Sequence, residues 1–286
     1  MSLFALHLAS AKARSEPRPP PVVVKLGGRA LEAPGAFTSF AYELGQVRAP
    51  IVLVHGGGAE VSAWLERLGQ TPCFIDGLRV TDDATLEVAT AVLAGLANKR
   101  LVAELQRTGL KAFGMAALDG GIVTTVPHRD AGRLGHVGEI ASVTDVLVHE
   151  LLYQGQLPVI ASIGAHQGAL LNLNADDVAA ALAASMHAQT LILLSDTPGL
   201  KIQGEVKKRL GLAEARALLD HPEVEGGMRP KLAAATRAIA GGAGSAWIAR
   251  WEGPGTLIDL LAGTASGTFV SAQAVTQGAE ASRRKP

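Results

Sequence analysis

The stretch Val22-Val23-Val24-Lys25-Leu26-Gly27-Gly28 decides the fold of this chain. An apolar run predicts a buried strand, and glycines directly after it predict a turn whose backbone N–H groups can approach an anion. The arrangement recurs at 51–54, followed by His55-Gly56-Gly57-Gly58, and a third glycine pair opens Gly226-Gly227-Met228-Arg229-Pro230-Lys231. Because lysine supplies a point charge that suits phosphate, the three turns together predict a site for phosphoryl transfer.

Apolar, β-rich runs alternate with helical patterns through the rest of the chain. Strands are expected at 22–26, 51–54, 111–115, 157–161, 190–194 and 245–249, and helices at 36–46, 60–68, 83–93, 96–108, 144–154, 176–187, 213–219 and 231–240. Strands that are apolar on both faces and alternate with helices predict an α/β fold with a central, mostly parallel sheet. Ligands of such sheets bind at the carboxyl ends of the strands, where the glycine turns fall. A hairpin-like piece, 121–126 then 138–140, is expected to leave the sheet as a lid.

The composition argues against several classes of function. The chain has 286 residues, 48% of them hydrophobic, which suits one large domain or two lobes. Lys+Arg and Asp+Glu both number 26, so attraction to anions must be local and we expect no nucleic-acid partner. Cys73 is the single cysteine, and no Cys/His spacing predicts a metal site. No apolar run reaches the ~20 residues of a membrane span, so we expect no membrane partner and a cytoplasmic location.

Both ends of the chain are expected to lie outside the fold, as an N-terminal tail at 1–21 and a C-terminal tail at 271–286. Residues 1–15 form either a short amphipathic helix or a loosely attached tail, which the prolines that follow would end. The last sixteen or so residues are small and polar and predict a solvated segment.

The two common nucleotide-binding motifs are absent, because no glycine precedes a lysine directly and no G-x-G-x-x-G opens a helix after a strand. Phosphoryl transfer requires neutralised charge and in-line geometry. Lys25 and Lys231 could supply charge from two sides, with Asp176 between them. Asp176 also starts a helical pattern, so stabilising that helix is the alternative role. No general base accompanies the turns, which fits a carboxylate acceptor that is already ionised at pH 7 (pKa roughly 4).

Arg79 lies in Asp76-Gly77-Leu78-Arg79-Val80-Thr81-Asp82, which is expected to be a loop before a helix. An arginine fork suits bidentate capture of a carboxylate. A surface salt bridge to Asp82 or Asp83 is the alternative. His55 follows a buried strand and is interpreted as an oriented core histidine with no part in the chemistry.

Taken in order, these motifs resemble the amino-acid kinase superfamily and, within it, the acetylglutamate kinases. The matching motifs are the three glycine turns, the segment 77–82, and three further segments: Gly95-Leu96-Ala97-Asn98-Lys99-Arg100-Leu101, 172–176 and 193–200. The resemblance covers residues 22 to 270. Each motif alone is weak evidence, whereas the ordered set is specific.

The resemblance implies a three-layer αβα sandwich with two lobes. The N-terminal lobe, 22–188, would bind the acyl amino acid and form a homodimer, and the C-terminal lobe, 189–270, would bind ATP with Mg²⁺. The implied reaction phosphorylates the γ-carboxylate of N-acetyl-L-glutamate in arginine biosynthesis. A kinase for N-succinylglutamate or an aminoadipate derivative, and a non-catalytic amino-acid sensor, remain alternatives. A hexamer is the alternative to the dimer, because arginine-inhibited relatives carry a longer N-terminal helix.

The resemblance also implies roles for individual residues. Lys25 and Lys231 would stabilise the transferring phosphoryl group while Asp176 holds both lysines. Substrate would be bound by Gly57, Gly58, Arg79 and Asn172, and nucleotide by Gly27, Gly28, Ser195, Asp196 and Gly199, with no protein ligand to a metal. Two departures stand out: Arg29 and Arg229 replace a small and an aliphatic residue, and their guanidinium groups would either contact nucleotide or point outward.

Overall fold

The computed structural model of the chain describes residues 19–28, 30–31 and 33–273. The predictions for Arg29 and for the tails at 1–18 and 274–286 lie outside these residues, whereas Ser271, the first residue of the predicted C-terminal tail, belongs to the last strand of the sheet. The strands, in chain order, are β1 (Val22–Leu26), β2 (Ile51–His55), β3 (Phe74–Ile75), β4 (Leu78–Arg79), β5 (Ala112–Ala116), β6 (Val123–Pro127), β7 (Gly138–Val143), β8 (Leu157–Ala161), β9 (Ile163–His166), β10 (Ala169–Asn172), β11 (Thr190–Ser195), β12 (Lys201–Ile202), β13 (Glu205–Val206), β14 (Arg209–Gly211), β15 (Ser245–Arg250) and β16 (Thr268–Ser271).

The helices alternate with these strands. They are α1 (Ala36–Gln46), α2 (Gly58–Arg67), α3 (Asp83–Thr90), α4 (Asn98–Arg107), α5 (Ala131–Leu134), α6 (Val146–Tyr153), α7 (Ala175–Ser185), α8 (Leu212–Ala217), α9 (Met228–Ala240) and α10 (Thr256–Ala262). A π-helical segment, Ala91–Ala97, joins α3 to α4. No helix within the described residues is both long and apolar enough to cross a bilayer.

Eight strands form the central sheet, in the order β14-β16-β15-β11-β1-β2-β8-β5. All neighbours pair in parallel except β15 and β16. The predicted α/β fold with a mostly parallel sheet is therefore confirmed. Since β1 and β11 pair directly, one sheet crosses the expected lobe boundary at 188/189, and the division into two lobes stays a prediction.

Helices cover both faces of this sheet, as the three-layer prediction requires. Alternate residues of β1 point to opposite faces: Val23 packs beneath α7 and α9, whereas Val22 and Val24 pack beneath α1 and α10. A smaller apolar cluster gathers α2, α3 and the π-helical segment against the carboxyl ends of β5 and β8. This cluster places the start of α2 over the edge of the sheet where the glycine turns lie.

Two local predictions are wrong. The helices expected at 83–93 and 96–108 are one uninterrupted helical run, because the backbone stays right-handed helical through Thr90, Ala91, Ala97 and Asn98. Arg79 lies in strand β4 rather than in a loop. The piece expected to leave the sheet does so, as the separate hairpin β6–β7. Its function as a lid stays a prediction.

Candidate active site

The two lysines and the aspartate singled out in the sequence meet at the carboxyl edge of the sheet. Lys25 Nζ lies 2.7 Å from Asp176 Oδ1, and Lys231 Nζ lies 3.8 Å from Asp176 Oδ2. Lys25 and Asp176 are buried, with 8% and 4% of their surface exposed. One carboxylate therefore faces two ammonium groups that come from different parts of the chain.

Local structure brings each of these groups to the same place. Lys25 is the fourth residue of β1, and its side chain faces α7 because its neighbours Val24 and Leu26 face α1. Asn174 caps α7, accepting from Asp176 N–H at 2.8 Å, so Asp176 stands in the first turn as well as between the lysines. Lys231 lies in the first turn of α9, and its Nζ also donates to Gly227 O at 3.0 Å.

The charges of this cluster depend on one another. Burial alone would raise the pKa of Asp176, but the charges of Lys25 and Lys231 and the hydrogen bond from Lys25 outweigh it, and the pKa is lowered. The pKa of Lys231 is lowered chiefly by burial, which the charge of Asp176 opposes. The carboxylate is therefore ionised at neutral pH and keeps two like charges close together.

The glycine turns lie against this cluster. Gly27 N–H donates to Leu194 O at 2.8 Å, and a Cβ on Gly27 would lie 2.7 Å from the same oxygen, closer than any side chain can approach. A Cβ on Gly57 would likewise lie 2.7 Å from Leu93 Cδ2. Gly28 faces the first turn of α2, since its Cβ would be 4.0 Å from Gly58 N. The two turns thus present their backbones side by side at a helix N-terminus, which favours an anion.

Arg79 reaches this helix N-terminus from β4. Its Nη2 donates to Gly58 O at 2.6 Å and to Ser62 Oγ at 2.8 Å, and its guanidinium stacks on Phe74, with Cζ 4.7 Å from the ring centroid. Nη1 is buried and no described residue accepts a hydrogen bond from it. Burial lowers the pKa of Arg79. The alternative of a surface salt bridge to Asp82 or Asp83 is wrong, because Arg79 is buried, Asp82 accepts from Thr85 N–H and Asp83 pairs with His136.

Asn172, the last residue of β10, is linked to Arg79 through Thr81. Asn172 Nδ2 donates to Thr81 Oγ1 at 3.1 Å, and that hydroxyl donates to Arg79 O at 2.9 Å. Thr81 is fully buried. Its sequence context did not mark it as a site residue, because a threonine before an acidic helix start is equally typical of capping.

The predicted nucleotide residues lie at the end of β11. Ser195 Oγ accepts from Thr197 N–H at 3.1 Å and so shapes the turn that follows the strand. Asp196 is exposed and near enough to Lys231 for its charge to oppose the lowering of the lysine pKa. Gly199 has a φ of 138°, and its Cβ would lie 2.8 Å from Thr268 Oγ1, so glycine is required there for packing. Their contacts to nucleotide stay predictions.

Arg229, one of the two departures from the family pattern, is engaged with the protein itself. Its Nε donates to Val224 O at 3.0 Å. The segment that precedes α9 is thereby tied to the helix. The Nε of Arg229 is therefore used by the fold, whereas the two alternatives given above for its guanidinium group stay predictions.

Sequence reasoning missed two polar pairs beside the site. Asn98 Nδ2 lies 3.0 Å from His55 Nε2, with both side chains buried. Arg237 on α9 is ion-paired with Asp177 on α7, which joins the helices that carry Lys231 and Asp176. Asn98 belongs to a motif that was quoted, but only the fold brings it to His55. Within the described residues, no group of three or more His, Cys, Asp or Glu could hold a metal ion.

Known proteins match this chain along most of its length. The sequence pattern of the amino acid kinase family matches residues 20–250. The acetylglutamate kinase of Acaryochloris marina (strain MBIC 11017) is 38% identical over 88% of this chain and 91% of its own length. That of Synechococcus sp. (strain RCC307) is 41% identical over 87% of both chains. Among solved structures, smu.665 from Streptococcus mutans UA159 matches with a TM-score of 0.75 and 28% identity, over 88% of this chain and 99% of that one.

Giardia carbamate kinase shares the fold alone, with a TM-score of 0.65 at 15% identity over 90% of this chain and all of that one. The two acetylglutamate kinases are far more similar, at 38% and 41% identity over 88% and 87% of this chain. The chain therefore belongs to the amino acid kinase family and, within it, to the acetylglutamate kinases.

Proposed function

We propose that this chain transfers the γ-phosphoryl group of ATP to the γ-carboxylate of N-acetyl-L-glutamate, a step of arginine biosynthesis. The observation that carries the proposal is the pair of lysines held by one buried carboxylate, Asp176, at the glycine turns. In the reaction, a bond forms between a carboxylate oxygen and the γ-phosphorus while the bond from that phosphorus to the β,γ-bridging oxygen breaks. The products are an acyl phosphate and ADP, and no proton has to move.

The lysines act on the charge that this transfer redistributes. Lys25 and Lys231 would flank the phosphoryl group, with Lys25 on the side of β1 and Lys231 on the side of α9. Asp176 would hold both ammonium groups before substrate arrives, so that no reorganisation is needed during the reaction. The backbone donors of Gly27 and Gly28 would face the phosphate of the nucleotide.

The acyl amino acid would lie on the side of α2. Arg79 already uses Nη2 to hold the start of α2, and its Nη1 remains for the α-carboxylate of the substrate. Asn172 would contact the same carboxylate, and Gly57 and Gly58 would supply backbone donors. Because a buried donor without a partner is costly, a carboxylate that binds it gains more than an exposed contact would.

Nucleotide binding would involve the end of β11, with Ser195, Asp196 and Gly199 near the bound ATP. The lysines and the glycine backbones fit a polyphosphate. Mg²⁺ in kinase sites is held largely by substrate phosphates and water, with one or two carboxylates, and Asp196 is an exposed carboxylate beside Lys231. The ion would supply neutralisation of the β- and γ-phosphate charge.

Quaternary structure and location extend the proposal. We expect a homodimer formed through the N-terminal lobe, with a hexamer as the alternative. The strand β5 belongs to this lobe and lies at an edge of the central sheet, where a second chain could pair with it. A biosynthetic role of this kind is expected in the cytoplasm.

A direct assay tests the proposed reaction. Purified chain is incubated with ATP, Mg²⁺ and N-acetyl-L-glutamate, and the acyl phosphate is trapped with hydroxylamine while ADP release is followed. N-succinylglutamate and N-acetylaminoadipate serve as competing acceptors. A kcat/KM highest for N-acetyl-L-glutamate is expected; preference for another acceptor would reassign the substrate, and no hydroxamate from any acceptor would favour the non-catalytic sensor.

A further inference from the structure

His55 is buried directly behind the second glycine turn. Its Nδ1 lies 2.9 Å from Gly56 O, and its Nε2 lies 3.0 Å from Asn98 Nδ2. Only 1% of the histidine surface and none of the asparagine surface is exposed. Neither residue belongs to the lysine–aspartate cluster, so the role of this buried polar pair needs its own explanation.

The surroundings of Asn98 determine which histidine nitrogen carries the proton. Asn98 Nδ2 also lies 2.9 Å from Val159 O and 3.3 Å from Met115 O, so its two N–H groups are shared among three acceptors and the amide nitrogen must face this side. Its Oδ1 accepts from Lys99 Nζ at 3.1 Å, which agrees with that orientation. A donor facing His55 Nε2 requires an unprotonated Nε2. The ring proton is therefore on Nδ1 and is donated to Gly56 O.

The register of the sheet shows what this hydrogen bond does to the turn. His55 pairs with Leu26 and lies on the same face as it, whereas Lys25 pairs with Val54 on the opposite face. The bond from Nδ1 draws Gly56 O toward the histidine face. A trans peptide is planar, with C=O and N–H in opposite directions, so the N–H of Gly57 is turned toward the face of Lys25.

The same helical run supports the turn from a second direction. Leu93, in the π-helical segment, packs so closely on Gly57 that a Cβ there would collide with it, and Asn98 begins α4 just after the segment ends. π-helical insertions are frequent at functional sites. Leu93 thus limits the position of the Gly57 backbone, while Asn98 and His55 set the orientation of the preceding peptide.

We infer that His55 and Asn98 are positioning residues that orient the Gly56–Gly57 peptide so that the Gly57 N–H faces the reacting carboxylate. The inference rests on the proposed function, because the direction of this N–H matters only if substrate binds there. Protonation of Nε2 would set two donors against each other, so the pair works only while the imidazole is neutral.

Two substitutions of His55 separate positioning from packing. His55→Asn places an amide N–H near the position of Nδ1 and keeps the bond to Gly56 O, but it leaves a space. His55→Gln is closer to histidine in volume and can offer an oxygen near the position of Nε2, but it loses the bond to Gly56 O. Positioning predicts that His55→Asn is the more active variant, whereas simple packing predicts the reverse order.

The experiment measures kcat and KM for both variants with ATP and N-acetyl-L-glutamate, beside wild type and the exposed His149→Asn and His149→Gln pair as matched controls. We expect kcat/KM for the acyl amino acid to fall about tenfold or more in His55→Gln and to fall clearly less in His55→Asn, with KM for ATP little changed. Equal losses, or a more active His55→Gln, would overturn the inference. An inactive wild type would instead refute the proposed function.

A measurement on the unmodified protein covers the case in which neither variant folds. Nitrogen-15 spectra of the wild-type imidazole at pH 6 to 7 are expected to report a protonated Nδ1 and an unprotonated Nε2 for His55. A proton on Nε2 at this pH would contradict the hydrogen bond to Gly56 O and with it the proposed orientation of the peptide.

Discussion

Lys25 Nζ and Asp176 Oδ1 lie 2.7 Å apart at the carboxyl edge of the sheet, both nearly buried. The same carboxylate faces Lys231 at 3.8 Å, so one negative charge holds two positive ones beside the glycine turns. Without Asp176 the two ammonium groups would repel each other in a buried environment. The structure therefore explains how a catalytic pair of cations can exist before an anionic substrate arrives.

Asp176→Asn is expected to lower kcat about a hundredfold or more, because the lysines would lose the group that positions them where charge develops. Steady-state kinetics with both substrates measures this, and circular dichroism checks folding. Asp177→Asn is the matched control, since Asp177 is the adjacent residue of α7 and pairs with Arg237 instead. Turnover near wild type in Asp176→Asn would remove the residue from the site and leave it as a helix-start residue.

Arg79→Ala is expected to raise KM for N-acetyl-L-glutamate about ten- to a hundredfold with little change in kcat. The α-carboxylate does not react, so its contact contributes equally to ground and transition states. Loss of a charge-assisted contact costs roughly 1.5–3 kcal/mol. Arg79→Lys should recover only part of this, because an ammonium group lacks the fork.

The control for Arg79 is Arg67→Ala, since Arg67 also stacks on an aromatic ring, that of Trp64, but at the far end of α2. KM for ATP should move little in either variant. An unchanged KM for the acyl amino acid in Arg79→Ala would mean that the guanidinium only holds the start of α2.

Acid is expected to destabilise the fold through His55. Its pKa is lowered to about 4, chiefly because burial disfavours the charged ring; the bond to Gly56 opposes this, and the charges of Lys25 and Lys99 add to it. In the unfolded chain the ring titrates near 6.5, so unfolding takes up a proton between pH 6.5 and 4. The neutral ring therefore makes its full contribution to the free energy of unfolding above about pH 6.5. That contribution decreases as the pH falls and is smaller by about 3 kcal/mol at pH 4.

Urea denaturation of wild type and His55→Gln across this range measures the effect. The variant has no titrating group at this position. Subtracting its free energy of unfolding from that of wild type at each pH therefore removes the contribution of the carboxylates. The free energy of unfolding of wild type should fall more steeply than that of the variant between pH 6.5 and 4. Parallel pH dependences would show that His55 is not buried in its neutral form.

Gly27→Ala is expected to cost roughly 1–3 kcal/mol of stability and to lower activity, because the new Cβ meets the backbone at Leu194 and Ser195. These contacts are all to backbone atoms, which cannot move aside as a flexible side chain would. Gly132→Ala is the control, since a Cβ in α5 meets no described atom within 4 Å. Thermal melts and activity assays measure both variants, and an equal effect of the two would contradict the close approach of β1 to β11.

The assembly is expected to be a dimer in solution, which light scattering on the intact chain measures. A truncated variant that lacks residues 1–20 tests the alternative, which is a hexamer. A hexamer that falls apart on this truncation would refute the dimer and would assign the N-terminal segment to ring formation.

The sequence by itself determined the layout of the fold. The runs 22–26 and 190–194 are apolar at every position except Lys25 and Thr190, so apolar residues fall on both faces, which is typical of a strand buried on both faces. Glycines after the first of these runs mark the carboxyl edge of a parallel sheet. The predicted strands at 22–26 and 157–161 agree with the structure residue for residue. Motif order was likewise enough to identify the family, because the residues of each motif are contiguous in the chain.

Only the tertiary structure decided how the polar groups pair. β3 and β4 have two residues each, too few for a period of two to be visible, so the strand that carries Arg79 could not be predicted. The bond from Arg79 to Gly58 O and the bond between Asn98 and His55 join residues far apart in sequence. Such contacts depend on which face each side chain takes and how its neighbours pack, and neither is encoded in a local pattern.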